Sequence, residues 1–93
     1  MSKLNSQEIE QALLRAPGWE RSGDAITRTF SLPSFPAALL FAGAIGHLAE
    51  RAEHHPDILI QYRSVTLTLS THSAGGLTGK DFALAAEINT IER

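Results

Sequence analysis

A long run without a charged side chain, from Thr29 to Ala49, constrains the fold of this chain more than any other feature. Pro33 and Pro36 interrupt the start of the run, and the rest is rich in Ala and Gly and contains a His, so its composition is not that of a membrane span. Proline is tolerated in the first turn of a helix. We therefore predict a buried central helix that is opened by Ser34 and Pro36 and ends near Glu53.

The segments on both sides of this helix alternate between apolar and polar residues with the period of a β-strand. Four strands are predicted from this alternation: Trp19–Arg21, Ala25–Leu32, Ile58–Tyr62 and Val65–Ser70. A Ser22-Gly23-Asp24 turn joins the first two strands into a hairpin. Pro56 stops the central helix before the third strand, and Gly75-Gly76 permit a sharp reversal after the fourth. Continuing the alternation of the fourth strand places His72 on its polar face.

Two further helices flank these elements. Asn5 and Ser6 can cap a first helix over about Ser6–Arg15. The segment Thr78-Gly79-Lys80-Asp81 has the form of a capping box and opens a third helix that runs to the carboxyl end. The predicted order is helix, two strands, helix, two strands, helix. Short strands with one polar face favour an antiparallel sheet with helices on one side, which is an α+β fold.

Length and composition limit what such a chain can do. Its 93 residues allow one domain, residues 1–93, and its small core makes self-association an expectation. A net charge of -2 argues against nucleic-acid binding through bulk positive charge. The absence of cysteine excludes disulfides, thiolate catalysis and thiolate zinc sites. The amino end lacks the apolar stretch of a secretion signal, so we expect a cytoplasmic protein that binds neither nucleic acid nor membrane.

Histidines are the best candidates for catalysis, because imidazole both gives and takes a proton near neutral pH. His54 and His55 lie where Pro56 ends a helix, and His72 lies where a strand ends before a glycine turn. Side chains at such element ends can converge on one pocket. Adjacent residues on an extended backbone point to opposite sides, so His54 and His55 should differ in role. One would carry a proton, and the other would orient it or hold the ligand.

The acidic residue Asp81 allows two interpretations. Asp81 could accept the second N–H of His72 and set its tautomer, and it also fits a capping carboxylate; the two roles are compatible.

His47 and His54 lie on one helical face with Glu50 between them, which could suit zinc or iron. The run lacks the His-Glu-x-x-His spacing, so we expect no metal site. No dinucleotide fingerprint, phosphate loop or serine nucleophile elbow is present, so any cofactor must be small or absent.

Three motifs follow the central helix in close succession. Residues 50–57 read Glu-Arg-Ala-Glu-His-His-Pro-Asp, residues 68–72 read Thr-Leu-Ser-Thr-His, and residues 81–85 read Asp-Phe-Ala-Leu-Ala. In these motifs, and in Gly18-Trp19 and residues 25–30, the chain resembles the pterin-4a-carbinolamine dehydratases. The resemblance covers nearly the whole chain.

The resemblance implies an α+β fold with a four-stranded antiparallel sheet and three helices packed on one face, assembled as a homodimer or homotetramer. It implies a hydro-lyase that converts 4a-hydroxytetrahydrobiopterin to quinonoid dihydropterin and water. Pterin is then the substrate, no cofactor is needed, and the reaction supports tetrahydrobiopterin recycling for an aromatic amino acid hydroxylase. The alternative is a non-catalytic dimerisation or binding module of the same fold.

The resemblance also implies which residues form the site. The catalytic residues would be His54, His55, His72 and Asp81, with Asp81 behind His72. The substrate-binding residues would be Glu50, His54, His55, Pro56, Thr71, His72 and Ser73. Loss of water from a carbinolamine needs an acid for the departing hydroxyl and a base for the ring N–H proton, and two imidazoles can supply both. We expect His54 and His72 to carry protons and His55 to hold or orient the hydroxyl. Which imidazole is the acid stays open.

Overall fold

Helices and strands follow one another in the predicted order in the computed structural model, which describes residues 2–93. The helices are α1 Ser6–Leu13, α2 Phe35–Ala52 and α3 Gly79–Asn89. The strands are β1 Glu20–Ser22, β2 Ala25–Ser31, β3 Asp57–Gln61 and β4 Ser64–Leu69. A short 3₁₀ helix, His72–Ala74, lies between β4 and α3.

The four strands form one antiparallel sheet in the order β1-β2-β4-β3. The two central strands pair Ile26 with Leu69 and Phe30 with Val65, and all four of these side chains are buried on the helix-covered face. The opposite face carries threonines, among which the hydroxyl oxygens of Thr29 and Thr66 lie 2.9 Å apart. This division of the strands into an apolar and a polar face confirms the predicted α+β fold.

Helix α2 packs across the sheet through a single stripe of side chains. Ser34 caps it by accepting a hydrogen bond from the Ala37 N–H at 3.2 Å, and Pro36 lies in its first turn. The buried residues of the helix recur on one face: Ala38, Phe41, Ile45 and Ala49. The prediction of a buried helix is therefore right for one face only. Because the fold has two layers, the outer face stays open, and Leu40 there is 77% exposed.

The remaining differences from the predicted elements lie at their ends. Helix α1 ends at Leu13 and α3 ends at Asn89, both earlier than predicted. Strand β3 lies at the sheet edge, and Tyr62 has left it for a turn with a φ of 52°. Strand β4 ends at Leu69, so His72 belongs to the 3₁₀ helix and not to a continued strand. Among the helices of residues 2–93, none is long and apolar enough to cross a membrane.

Candidate active site

The end of α2 sends two adjacent histidines into different environments. Glu53 adopts the left-handed conformation, with a φ of 52°. Its N–H donates to the Glu50 carbonyl at 3.2 Å, and the His54 N–H donates to the Ala49 carbonyl at 3.1 Å. This pair of bonds is a Schellman motif, which ends the helix and reverses the chain. His54 is turned inward and is 9% exposed, whereas the side chain of His55 is 65% exposed.

His54 forms a buried pair with Asp81. Its Nε2 lies 2.5 Å from Oδ1 of Asp81, which has no exposed surface. The second carboxylate oxygen of Asp81 accepts from the Thr71 hydroxyl at 2.8 Å and from the Thr78 N–H at 2.9 Å. All three of these groups can donate a hydrogen bond to the carboxylate, which is what a buried carboxylate requires.

The structure corrects the predicted partner of Asp81. Its carboxylate contacts His54, not His72. Asp81 lies in the first turn of α3, where it completes a capping box with Thr78, so the capping role holds alongside the contact with an imidazole. The bridge between Thr71 and Gly76 closes the chain before α3 and turns His72 outward, where it is exposed.

The proton count in this pair defines the state of the His54 ring. An ionised Asp81 can only accept, so Nε2 of His54 must carry the proton that lies between them. In a neutral imidazole Nδ1 is then the unprotonated nitrogen. Among residues 2–93, no buried side-chain nitrogen or oxygen lacks a hydrogen-bond partner, and Nδ1 of His54 has no protein partner. That nitrogen is therefore accessible to solvent, and His54 is one of the residues that line the adjoining cleft.

The three imidazoles of the predicted site lie on one cleft of about 310 Å³. Its lining residues are Glu53, His54, His55, Ser70, Thr71, His72, Ser73 and Lys80. Thr71 lines the cleft, but its hydroxyl is already bonded to Asp81. A second cleft of about 240 Å³ adjoins the first and shares His55, Ser70 and His72 with it. The second cleft is completed by Asp24, Ala25, Asp57 and Thr68.

Other predicted residues lie outside these clefts. Neither Glu50 nor Pro56 lines them; Glu50 reaches the site only through His55, whose Nε2 lies 2.9 Å from Oε1. His47 is exposed on α2 and lines neither cleft. Within residues 2–93, no three or more acidic, His or Cys side chains are arranged to hold a metal ion.

Sequence reasoning missed two contributors to the site. Lys80 lines the main cleft from the first turn of α3. It is the only Lys or Arg among the lining residues, so it brings a positive charge that does not depend on protonation of an imidazole. The Thr78 hydroxyl lies 2.9 Å from that of Thr71, behind the carboxylate. Both positions were visible in the sequence as parts of the capping box around Asp81. Once Asp81 is placed beside an imidazole, its capping partners are placed there as well.

Known proteins with similar sequences and structures match nearly the whole chain. The sequence model of the family described as "Pterin 4 alpha carbinolamine dehydratase" matches residues 2–91. A provisionally named pterin-4-alpha-carbinolamine dehydratase of Roseiflexus castenholzii is 59% identical over 88 residues, which is 95% of each chain. The crystal structure of a transcriptional coactivator/pterin dehydratase from Brucella melitensis has a TM-score of 0.90 at 34% identity, covering 95% of this chain and 96% of the other.

A more distant structure shares the fold alone. It is a pterin dehydratase-like protein identified as a RuBisCO assembly factor in the alpha-carboxysome. The match has a TM-score of 0.66 at 23% identity and covers 81% of this chain and 89% of the other.

Proposed function

Because the chain belongs to the pterin-4a-carbinolamine dehydratase family, we propose that it dehydrates 4a-hydroxytetrahydrobiopterin to quinonoid dihydropterin and water. The observation that carries the proposal is the meeting of three imidazoles on one cleft, with one of them bonded to a buried carboxylate. A cleft of about 310 Å³ lies at the lower end of the range for small-molecule sites and suits a bicyclic pterin.

In the proposed mechanism, His54 is the base. Asp81 accepts the Nε2–H and leaves Nδ1 to take the ring N–H proton next to the carbinolamine carbon. The nitrogen lone pair then forms the C=N bond while the C–O bond breaks. A protonated second imidazole gives its proton to the departing hydroxyl, which leaves as water. Both protons exchange with solvent afterwards, so the cycle consumes no reductant and no external acid.

His72 is the better candidate for the acid. Its ring lines the cleft, and no protein partner holds it among the hydrogen bonds of residues 2–93. His55 is held by Glu50 at 2.9 Å, which suits a group that orients the hydroxyl. In this scheme the product returns to pterin recycling for an aromatic amino acid hydroxylase, and no metal or organic cofactor takes part.

The test is the decay of chemically generated 4a-hydroxytetrahydrobiopterin, followed by ultraviolet absorbance with and without the protein. We expect the protein to accelerate decay and His54→Ala or His72→Ala to lower the rate by about a factor of ten or more. His47→Ala is the matched control, since His47 is exposed on α2 and lines neither cleft. A wild-type protein without acceleration would instead support a non-catalytic binding module of the same fold.

A further inference from the structure

We propose that Thr71 and Thr78 are positioning residues for His54, acting through the buried carboxylate of Asp81. The resemblance to the family implied that Thr71 binds substrate, and the geometry points to a different role. The kinetic part of this inference rests on the proposed dehydratase function; the spectroscopic part does not.

The hydroxyls of the two threonines form a chain of hydrogen bonds with one direction. Thr71 and Thr78 are both buried, and their oxygens lie 2.9 Å apart. The Thr71 hydroxyl uses its single hydrogen to donate a hydrogen bond to Oδ2 of Asp81 at 2.8 Å. Thr78 must therefore be the donor in the hydrogen bond between the two hydroxyls. The oxygen of Thr78 in turn accepts from the Lys80 N–H at 3.3 Å. Each donor thus points toward the carboxylate.

This chain fixes the orientation of the carboxylate. Oδ2 of Asp81 accepts from both the Thr71 hydroxyl and the Thr78 N–H, so the group cannot turn about its last torsion without breaking both bonds. Oδ1 is thereby held against Nε2 of His54. The two threonines therefore hold His54 in one ring orientation and one tautomer, with Nδ1 toward the cleft.

Removal of the Thr71 hydroxyl would leave Oδ2 with the Thr78 amide alone. The carboxylate could then turn, and His54 would sample both neutral tautomers. Only one of them presents an unprotonated Nδ1 to the cleft, and small displacements of a positioned group lower rates by about a hundredfold or less. We expect Thr71→Val to lower kcat about ten- to a hundredfold and to change KM by less than about twofold.

Paired substitutions separate the hydroxyl from the methyl group. Valine keeps the shape of threonine and loses the donor, whereas serine keeps the donor and loses the methyl group. If Thr71 positions Asp81, Thr71→Ser recovers most of the activity that Thr71→Val loses. If Thr71 acts only by packing, the order of the two variants is reversed.

A matched control is present on the open face of the sheet. The hydroxyls of Thr29 and Thr66 also lie 2.9 Å apart, on strands β2 and β4 and away from the histidine cleft. Thr66→Val removes a hydroxyl pair of the same length, and we expect wild-type turnover from it.

The experiment combines steady-state kinetics of pterin dehydration with NMR of the ¹⁵N-labelled full chain above the titration range of its imidazoles. The His54 ring signals are assigned by their loss in His54→Ala. We expect the Nε2–H tautomer alone in the wild type, a mixture of tautomers in Thr71→Val, and the wild-type spectrum in Thr71→Ser. Even if Thr71→Val fails to fold, the wild-type spectrum tests the inference, because an Nδ1–H tautomer of His54 would contradict it.

Three results would overturn the inference: an Nδ1–H tautomer of His54 in the wild type, a Thr71→Val variant with raised KM and unchanged kcat, or unchanged kinetics in that variant. A raised KM would return Thr71 to the substrate-binding residues. If the wild type is inactive but the tautomers behave as expected, the positioning role stands and the proposed reaction fails.

Discussion

Replacing Asp81 by alanine should destabilise the fold far more than loss of a helix cap would. The carboxylate is fully buried and accepts from three groups: the His54 ring, the Thr71 hydroxyl and the Thr78 N–H. Removing it leaves these donors in the protein interior, at about 1–3 kcal/mol for each one that finds no water. Truncating one partner of a buried pair costs about 3–5 kcal/mol in general. We expect a loss of that size for Asp81→Ala.

The chain contains its own control for the capping part of this effect. Glu8 occupies the corresponding position in the capping box of α1, where it accepts from the Asn5 N–H at 2.9 Å. That box is exposed and contains no histidine. Glu8→Ala should therefore lower the free energy of unfolding by only about 1 kcal/mol. The difference between the two variants measures what burial and the imidazole add.

Urea unfolding followed by circular dichroism measures both free energies, at one fixed protein concentration because self-association would add to apparent stability. A 93-residue domain has about 5–15 kcal/mol in total, so a loss of about 3–5 kcal/mol leaves Asp81→Ala between half folded and mostly folded at room temperature. Asp81→Asn, which keeps the size and one acceptor, should lie between the alanine variant and the wild type. If Asp81→Ala costs no more than Glu8→Ala, the carboxylate is not the buried acceptor described above.

Three further outcomes are expected. The chain should self-associate in solution, because Leu40 is 77% exposed on the outer face of α2, which carries no charged side chain before Glu50. Light scattering should give at least twice the 10.1 kDa of one chain, and Leu40→Glu should lower that mass. Gly18 has a φ of 88°, and a Cβ at this position would lie 2.6 Å from the Arg28 guanidinium carbon. In urea titrations Gly18→Ala should therefore lower the free energy of unfolding by about 1–3 kcal/mol, and it should not lower kcat of the folded fraction. Prolonged dialysis against a chelator should leave the dehydration rate unchanged, and a loss restored by zinc would revive the metal interpretation.

The fold could be read from the sequence because its signals are local. Ser34 and Pro36 mark the start of α2, Pro56 marks where the helix cannot continue, and alternating residues mark which strand face is buried. The exposure of α2 was harder to predict. A helix without charge in all but its last turn is expected to be fully buried, but a two-layer fold covers only one of its faces. The sequence of one chain does not show what covers the other face.

The partner of Asp81 could not be read in the same way. Asp81 follows His72 closely along the chain, so proximity in sequence favoured that pair. In the fold, the first turn of α3 lies against the end of α2, and the contact with His54 spans 27 residues. Which of two imidazoles meets a carboxylate depends on helix packing and on the turn at residues 72–74, and neither has a local signature. The inward contact of the Thr71 hydroxyl has no local signature either, since it joins Thr71 to a residue of another element.

In the proposed mechanism, capping and catalysis use the same carboxylate of Asp81, which would couple stability to function. Glu53 stays in a left-handed conformation that costs a non-glycine residue about 1–2 kcal/mol, and the resulting turn separates the directions of His54 and His55. Asp81 caps α3 with one oxygen and holds His54 with the other. A substitution that loosens either helix end therefore displaces an imidazole. If His54 is the base as proposed, variants at the α3 capping box should lose stability and turnover together. Variants at the exposed His55–Glu50 pair should instead alter turnover with little change in stability.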